Sequence, residues 1–287
     1  MKHGMKYIDE FRDPATAKAL VEKIRRDAGD APVRLMEVCG THTVAIARGG
    51  IRPLLSGAVS MLSGPGCPVC VTPDGYIDAA IALGTERGVL LASFGDMLRV
   101  PGKSSSLEKE KGTGLEVRVV YSPLDAVTLA AATPDREVVF LGVGFETTAP
   151  AIGGAIKTAS VRGVGNFSVL SSVRTIPEAM GVLAADPEVR IEGFLCPAHV
   201  SVVIVTDAYR PVAQRYGIPC VVAGFEPLDI LLGISRLLRQ KNEGVARVEN
   251  EYSRVATATG NRKAQELIRD VFVPDRKSTR LNSSHRL

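Results

Sequence analysis

Two short thiol-containing pairs are the residues of this sequence best suited to chemistry. Cys39 and His42 form a Cys-x-x-His pair, and Cys67 and Cys70 form a Cys-x-x-Cys pair. Three of the five cysteines and one of the four histidines therefore fall within 32 residues. Thiolate and imidazole ligands suit iron, zinc or copper, and two thiols separated by two residues can also close a small disulfide. The pattern predicts a metal or redox site.

Both pairs follow apolar, strand-like segments and precede helical patterns. The segment 33–38 leads to Cys39, and the segment 59–62 leads to Cys67. Open α/β sheets place their chemistry at the carboxyl ends of the strands, which is where we expect both pairs. A helix that begins near Thr72 is expected to lower the pKa of the second pair through its N–H groups and dipole.

Apolar, β-branched segments alternate with helical patterns along the chain. The eight strand-like segments are 33–38, 59–62, 89–94, 117–121, 137–143, 167–171, 193–196 and 220–224. This alternation predicts an α/β fold of two βαβ-type domains, with mostly parallel sheets flanked by helices. The predicted domains span 1–125, with both thiol pairs, and 126–273, with a helical, charged pattern over 228–273. Residues 274–287 lack periodicity and are interpreted as a non-native tail.

Composition and charge narrow the classes of function. The 287 residues include 35 Lys and Arg against 31 Asp and Glu, and 31 against 30 once the last 14 residues are set aside. This near-neutral composition, without tryptophan, gives no indication of nucleic-acid binding. No apolar segment is long enough for a membrane span, and the amino terminus lacks a signal-peptide pattern, so a cytoplasmic protein is expected. Five cysteines in that compartment indicate metal or redox chemistry.

Polar residues also follow two later strand-like segments. Glu146 and Thr147 are predicted to face the site as a carboxylate and a hydroxyl, with an ordinary strand-to-helix turn as the alternative. A dinucleotide site is disfavoured because the third glycine of the fingerprint is missing. Cys196 and His199 form a second Cys-x-x-His pair, for which a structural role is favoured over a second metal site. A structural role is also favoured for Cys220.

Five motifs resemble, in the same order, those of the HypD family of hydrogenase maturation proteins. They are Met36–Thr43, Gly64–Cys70, Gly144–Thr148, Cys196–His199 and Ala223–Pro227. The resemblance covers roughly residues 5–273. It implies a scaffold on which the iron of the nickel–iron hydrogenase active site receives cyanide and carbon monoxide. It also implies two partners, a small HypC-type chaperone whose amino-terminal cysteine shares the iron and a HypE-type cyanide donor.

The resemblance also implies roles for individual residues. Cys39 resembles the iron-ligating cysteine, with His42 beside it. Cys67 and Cys70 resemble a redox-active pair that supplies electrons by thiol–disulfide exchange. The family's third, cysteine-rich domain binds a four-iron four-sulfur cluster. That C-terminal iron–sulfur domain is absent from this chain, and the cluster's ligands are missing, because no cysteine follows Cys220.

The same resemblance places Glu146 and Thr147 in a family segment near the two thiol-containing pairs. The favoured interpretation is an assembly scaffold with redox chemistry rather than a conventional turnover enzyme. One alternative is a thiol–disulfide oxidoreductase that acts through Cys67 and Cys70. Another is a structural zinc-site protein, in which the two thiol-containing pairs supply three sulfur ligands and one nitrogen ligand.

Overall fold

The structure, a computed structural model, describes residues 9–274 and 280–282 and confirms the α/β fold class. The strands are β1 (Val33–Glu37), β2 (Val59–Ser63), β3 (Leu90–Ser93), β4 (Val117–Val119), β5 (Val138–Gly144), β6 (Phe167–Arg174), β7 (Gly193–Pro197), β8 (Cys220–Ala223), β9 (Val248–Asn250), β10 (Val273–Pro274) and β11 (Arg280–Asn282). The helices are α1 (Pro14–Ala28), α2 (Gly40–Arg48), α3 (Ile51–Leu54), α4 (Asp74–Arg87), α5 (Leu107–Gly112), α6 (Pro123–Ala132), α7 (Ala149–Val161), α8 (Ile176–Ala185), α9 (Ala198–Val203), α10 (Arg210–Tyr216), α11 (Pro227–Asn242) and α12 (Arg262–Val271). Short 3-10 helices cover Asp9–Arg12, Gly95–Arg99 and Thr206–Tyr209.

The described strands form two sheets, and the parallel arrangement that the sequence predicts dominates both. The first sheet has the order β2-β1-β7-β8-β9, and all of its neighbouring strands are parallel. The second sheet has the order β10-β11-β6-β5-β3-β4. Its core strands are parallel, while β11 runs antiparallel to β6 and β10 runs antiparallel to β11.

Each sheet belongs to a compact unit, and the two units alternate along the chain. The first unit combines the residues up to Gly66 with Ile176–Asn261, and the second combines Cys67–Thr175 with the residues from Arg262 onward. A division between residues 125 and 126, expected from the sequence, would fall inside α6. The units differ from that expectation because the late strand β7 pairs with β1, and strand pairing is not encoded in local periodicity.

The second unit buries apolar side chains on both faces of its sheet. Val138 and Phe140 on β5 pack in a cluster with α6, α7 and α12, whereas Val139 and Leu141 pack in a cluster with α4 and α5. This alternation follows from the two-residue period of a strand. A sheet that is covered on both faces explains why the sequence of β5 is apolar throughout.

The core of the first unit lies between its sheet and the helices α1, α2, α3 and α11. Val33 and Leu35 on β1 face this core together with Leu195 on β7 and Val221 on β8. Glu37 has the same parity as Val33 and Leu35, so it points to the same side, where it is fully buried. A buried carboxyl at the end of an apolar strand requires polar partners.

The sequence predicted a helical pattern over 228–273 and a non-native tail over 274–287. The helical pattern predicted over 228–273 is wrong between 243 and 261, where β9 adds a strand to the first sheet. Of the interpreted tail 274–287, residues 280–282 form β11, while 275–279 and 283–287 lie outside the described residues. None of the described helices combines the length and the apolar composition that crossing a membrane requires.

Candidate functional site

Cys39 lies just beyond the carboxyl end of β1, as the sequence predicts, and is the residue that precedes the first turn of α2. Its backbone is extended, with φ −151° and ψ 121°. Burial raises the pKa of its thiol, whereas the backbone N–H groups of His42 and Thr41 donate to the sulfur and act in the opposite direction. The metal-free thiol is therefore protonated, and a helix N-terminus is in place to stabilise a thiolate once a cation displaces the proton.

The loop Gly64–Gly66 packs directly on the backbone of the Cys39 segment. The N–H of Gly40 donates to the carbonyl of Gly66 at 3.0 Å, and the N–H of Gly64 donates to the carbonyl of Glu37 at 2.8 Å. A Cβ atom on Gly66 would lie 2.5 Å from the carbonyl carbon of Cys39. Glycine is thus required here by close backbone approach rather than by a special φ angle.

Glu37 connects the end of β1 to the first turn of α2, and the sequence reasoning did not single it out. One of its carboxylate oxygens accepts from the hydroxyl of Thr43 at 2.7 Å, and the other accepts from the N–H of Cys39 at 3.4 Å. The guanidinium of Arg52 lies 3.8 Å away, and Ser63 also donates to the carboxylate. Burial nevertheless raises the pKa of Glu37. The available signal was a charged residue that shares the core-facing parity of Val33 and Leu35 in β1.

His42 is fully buried, and its ring is oriented by the backbone that follows β8. Its Nε2 lies 3.1 Å from the carbonyl oxygen of Ala223 and 2.9 Å from that of Gly224. Burial lowers the pKa of the imidazole to about 4, so the ring is neutral at pH 7. Nδ1 is also buried and has no hydrogen-bond partner within the part of the chain that the structure describes. An unpartnered buried nitrogen of this kind fits a metal ligand.

An aromatic ring joins His42 to the second Cys-x-x-His pair. Phe225 lies between the two imidazoles, with ring centroids 4.9 Å from His42 and 4.4 Å from His199. His199 is exposed, and partial loss of solvent around its ring lowers its pKa. Cys196 is buried inside β7, where loss of solvent raises the pKa of its thiol. The structure therefore places His199, rather than Cys196, towards the His42 end of the sheet.

Charged side chains support the segment after β8 from the opposite side. Arg254 donates to Asp229 at 2.6 Å, and its guanidinium stacks 4.4 Å from the ring centroid of Tyr252. The N–H of Glu226 donates to the same oxygen of Asp229 at 3.2 Å. Burial, assisted by the charge of Asp229, raises the pKa of nearby Glu251 to about 7. Sequence reasoning missed this group because its members come from α11 and from the irregular segment after β9.

Cys67 and Cys70 form a close pair of free thiols in the second unit. Their sulfur atoms lie 2.7 Å apart, and the N–H of Cys70 also points to the sulfur of Cys67 at 3.3 Å. The helix expected near Thr72 is α4, which begins at Asp74 with Pro73 before it. The thiol of Cys70 donates to Cys67, and this contact raises the pKa of Cys70 instead of lowering it.

Glu146 and Thr147 occupy the turn between β5 and α7, also in the second unit. Glu146 is buried with only 3 % of its surface exposed, whereas Thr147 is exposed. The turn is tight, because a Cβ atom on Gly144 would lie 2.4 Å from the Cβ atom of Thr148. The glycine therefore permits a close approach within the turn. The role of the two polar side chains stays a prediction.

The described residues contain no group of three or more His, Cys, Asp or Glu side chains that could hold a metal ion together. Cys39 and His42 lie in the first unit, while Cys67 and Cys70 lie in the second. Cys220 is buried in β8. The Nδ1 of His42, which has no partner among the described residues and lies three residues after Cys39 in sequence, fits a metal ligand.

Comparison with known proteins gives matches over nearly the whole chain. The HypD family model, described as the hydrogenase formation hypA family, matches residues 15–281. The chain belongs to the HypD family. Hydrogenase maturation factor HypD of Azotobacter vinelandii is 50 % identical over 275 residues, which cover 93 % of this chain and 73 % of that protein. The HypD factors of Rhodobacter capsulatus and Escherichia coli K12 are 46 % and 44 % identical, over 93 % of this chain and 73 % and 74 % of their lengths.

Membership of the HypD family confirms the resemblance noted in the sequence and supports a general function in hydrogenase maturation. Four of the five motifs follow neighbouring parallel strands in the first sheet. They are the motif after β2, which begins at Gly64, and those after β1, at the end of β7 and after β8, which contain Cys39, His199 and Phe225. The family motifs and the carboxyl edge of the sheet thus identify the same region of the first unit.

Proposed function

We propose that the protein is an assembly scaffold that holds an iron ion on Cys39 while the iron receives cyanide and carbon monoxide. The single observation that carries the proposal is that one helical turn carries both the thiol of Cys39 and the buried, unpartnered Nδ1 of His42. Thiolate and imidazole suit iron, and the HypD family supplies the biological context. The iron is cargo for the hydrogenase rather than a cofactor of this protein.

The chain's own contribution to iron binding is to hold the proton of the Cys39 thiol and then to stabilise the Cys39 thiolate. Burial keeps the Cys39 thiol protonated in the metal-free state, so iron binding would release that proton to solvent. The N–H groups of Thr41 and His42 would then donate to the thiolate. Glu37 would keep the loop in place through its bond to the N–H of Cys39.

The dithiol pair would provide the redox part of this function. Cys67 and Cys70 would pass two electrons and two protons to an oxidised disulfide of a reaction partner, which becomes a dithiol as they close their own disulfide, and an external dithiol would restore them by exchange. Their sulfur separation of 2.7 Å supports this role. We propose that Glu146 and Thr147 contribute a carboxyl and a hydroxyl in the same unit. A small HypC-type chaperone and a HypE-type cyanide donor are the proposed partners.

Infrared spectroscopy with parallel metal analysis tests the scaffold. The protein is purified without oxygen together with a HypC-type chaperone and a HypE-type donor. We expect iron with the stretching bands of metal-bound cyanide and carbon monoxide. Cys39→Ala should lose both iron and bands, whereas Cys220→Ala, a change of another buried cysteine, should keep them. Iron and bands that persist in Cys39→Ala would contradict the ligand assignment.

A thiol–disulfide oxidoreductase is the second candidate, and the closeness of Cys67 and Cys70 favours it. Metal analysis separates the candidates, because an oxidoreductase needs no iron and should reduce a disulfide substrate on its own. Stoichiometric zinc without diatomic ligands would instead indicate a structural zinc site. In both cases the scaffold proposal would be withdrawn.

A further inference from the structure

The segment after β8 determines which nitrogen of His42 carries a proton. Nε2 is within hydrogen-bond distance of two carbonyl oxygens, 3.1 Å from Ala223 and 2.9 Å from Gly224. Carbonyl oxygens only accept hydrogen bonds, so Nε2 must be the protonated nitrogen. In a neutral ring, Nδ1 then carries the free lone pair.

Leaving that lone pair without a hydrogen bond lowers the stability of the fold. Nδ1 of His42 is buried, and no other group in the described ranges 9–274 and 280–282 makes a hydrogen bond to it. An unsatisfied buried polar atom destabilises a fold by about 1–3 kcal/mol. A half-turn of the ring would put Cδ2 in the place of Nδ1 and Cε1 in the place of Nε2, and would therefore lose the two bonds made by Nε2. The fold therefore keeps Nδ1 unpartnered, three residues after Cys39 on the same helical turn.

The side chains of Asp229 and Tyr252 pack against Gly224 and hold its carbonyl in place. A Cβ atom on Gly224 would lie 2.2 Å from the Oδ2 atom of Asp229 and 2.5 Å from the Cδ2 atom of Tyr252. Asp229 cannot move away freely, because Arg254 donates to the same oxygen at 2.6 Å. Any side chain at position 224 would therefore displace the peptide to which His42 donates.

We infer that the Ala223–Gly224 backbone sets the tautomer of His42, so that Nδ1 is the nitrogen available to a metal ion. Gly224 is on this account a positioning residue, which acts through His42 and touches no iron itself. That the metal ion is iron rests on the proposed function. The tautomer of the metal-free ring does not depend on that function.

Nitrogen NMR of the metal-free full chain tests the tautomer directly. The protein is labelled with ¹⁵N at its four histidines, and the His42 signals are assigned by their loss in His42→Gln. We expect Nε2 in the range of a protonated imidazole nitrogen and Nδ1 in that of an unprotonated one. A protonated Nδ1, or a doubly protonated ring, at pH 7 would overturn the inference.

Gly224→Ala tests the cause. We expect its His42 signals to show a mixture of tautomers and its affinity for ferrous iron alone to fall on the order of 10-fold or more, as for other groups that orient a ligand. The matched control is Gly181→Ala in α8, where a Cβ atom meets nothing within 4 Å. Wild-type tautomer and iron affinity in Gly224→Ala would overturn the inference. Failure of the wild-type chain to bind ferrous iron would instead reject the proposed function, while the tautomer of the metal-free ring still decides this one.

Discussion

Replacing Glu251 with glutamine should change how the stability of the first unit depends on pH. Glu251 follows β9 and has only 9 % of its surface exposed. Burial, with a smaller contribution from the charge of Asp229, raises its pKa from the ordinary 4.5 to about 7. Gly224 donates a backbone N–H to the carboxyl, and a glutamine oxygen can accept the same bond. The substitution thus removes the charge while keeping the shape.

The sign of the effect follows from proton binding. Between pH 4.5 and about 7, the folded state binds more protons at Glu251 than the unfolded state does. The free energy of unfolding therefore falls as the pH rises through this interval. At about 1.4 kcal/mol per pH unit, the interval corresponds to about 3 kcal/mol, and the water that still reaches the carboxylate reduces this to about 2 kcal/mol.

Urea unfolding followed by circular dichroism measures the difference, because the chain has no tryptophan for fluorescence. Hydrogen exchange with mass spectrometry assigns the change to peptides of the first unit. From pH 5 to pH 8, Glu251→Gln should gain about 2 kcal/mol relative to the wild-type protein. The exposed Glu188→Gln serves as control and should gain nothing. Parallel pH profiles for Glu251→Gln and the wild type would refute the reasoning.

Three further predictions concern the two thiol segments. Gly66→Ala should destabilise the first unit by about 1–3 kcal/mol in urea unfolding, because its Cβ atom would overlap the backbone of Cys39; an unchanged midpoint would contradict this. Glu37→Gln should cost about 1–3 kcal/mol in the same assay, since the N–H of Cys39 and the guanidinium of Arg52 can only donate, they face different oxygens of the carboxylate, and an amide offers one acceptor oxygen instead of two; equal stability would show that the second oxygen is not needed as an acceptor. In timed alkylation read by mass spectrometry, Cys67 should react faster than Cys70, whose thiol keeps its proton in the bond to Cys67; faster labelling of Cys70 would reverse these roles.

The sequence alone determined where the first eight strands lie. All eight strand-like segments form strands, because runs of β-branched and apolar residues fit a sheet that is covered on both faces. The strand β9 was missed because Val248–Asn250 is only three residues long and lies in a charged context. The position of Cys39 after β1 was also predictable, since Cys39 directly follows the strand-like segment 33–38 in the sequence.

The pairing of strands and the environment of the site were decided by tertiary structure. β1 pairs with β7, more than 150 residues later, and that pairing assigns Gly193–Pro197 to the first unit instead of to a second domain. His42 donates to Ala223 and Gly224, which lie 181 and 182 residues away in sequence. Local periodicity records which side chains are apolar, but it carries no information about which distant backbone they meet. The lowered pKa of His42 and the raised pKa of Glu37 therefore exist only in the folded chain, where burial removes the water that would otherwise stabilise their charged forms.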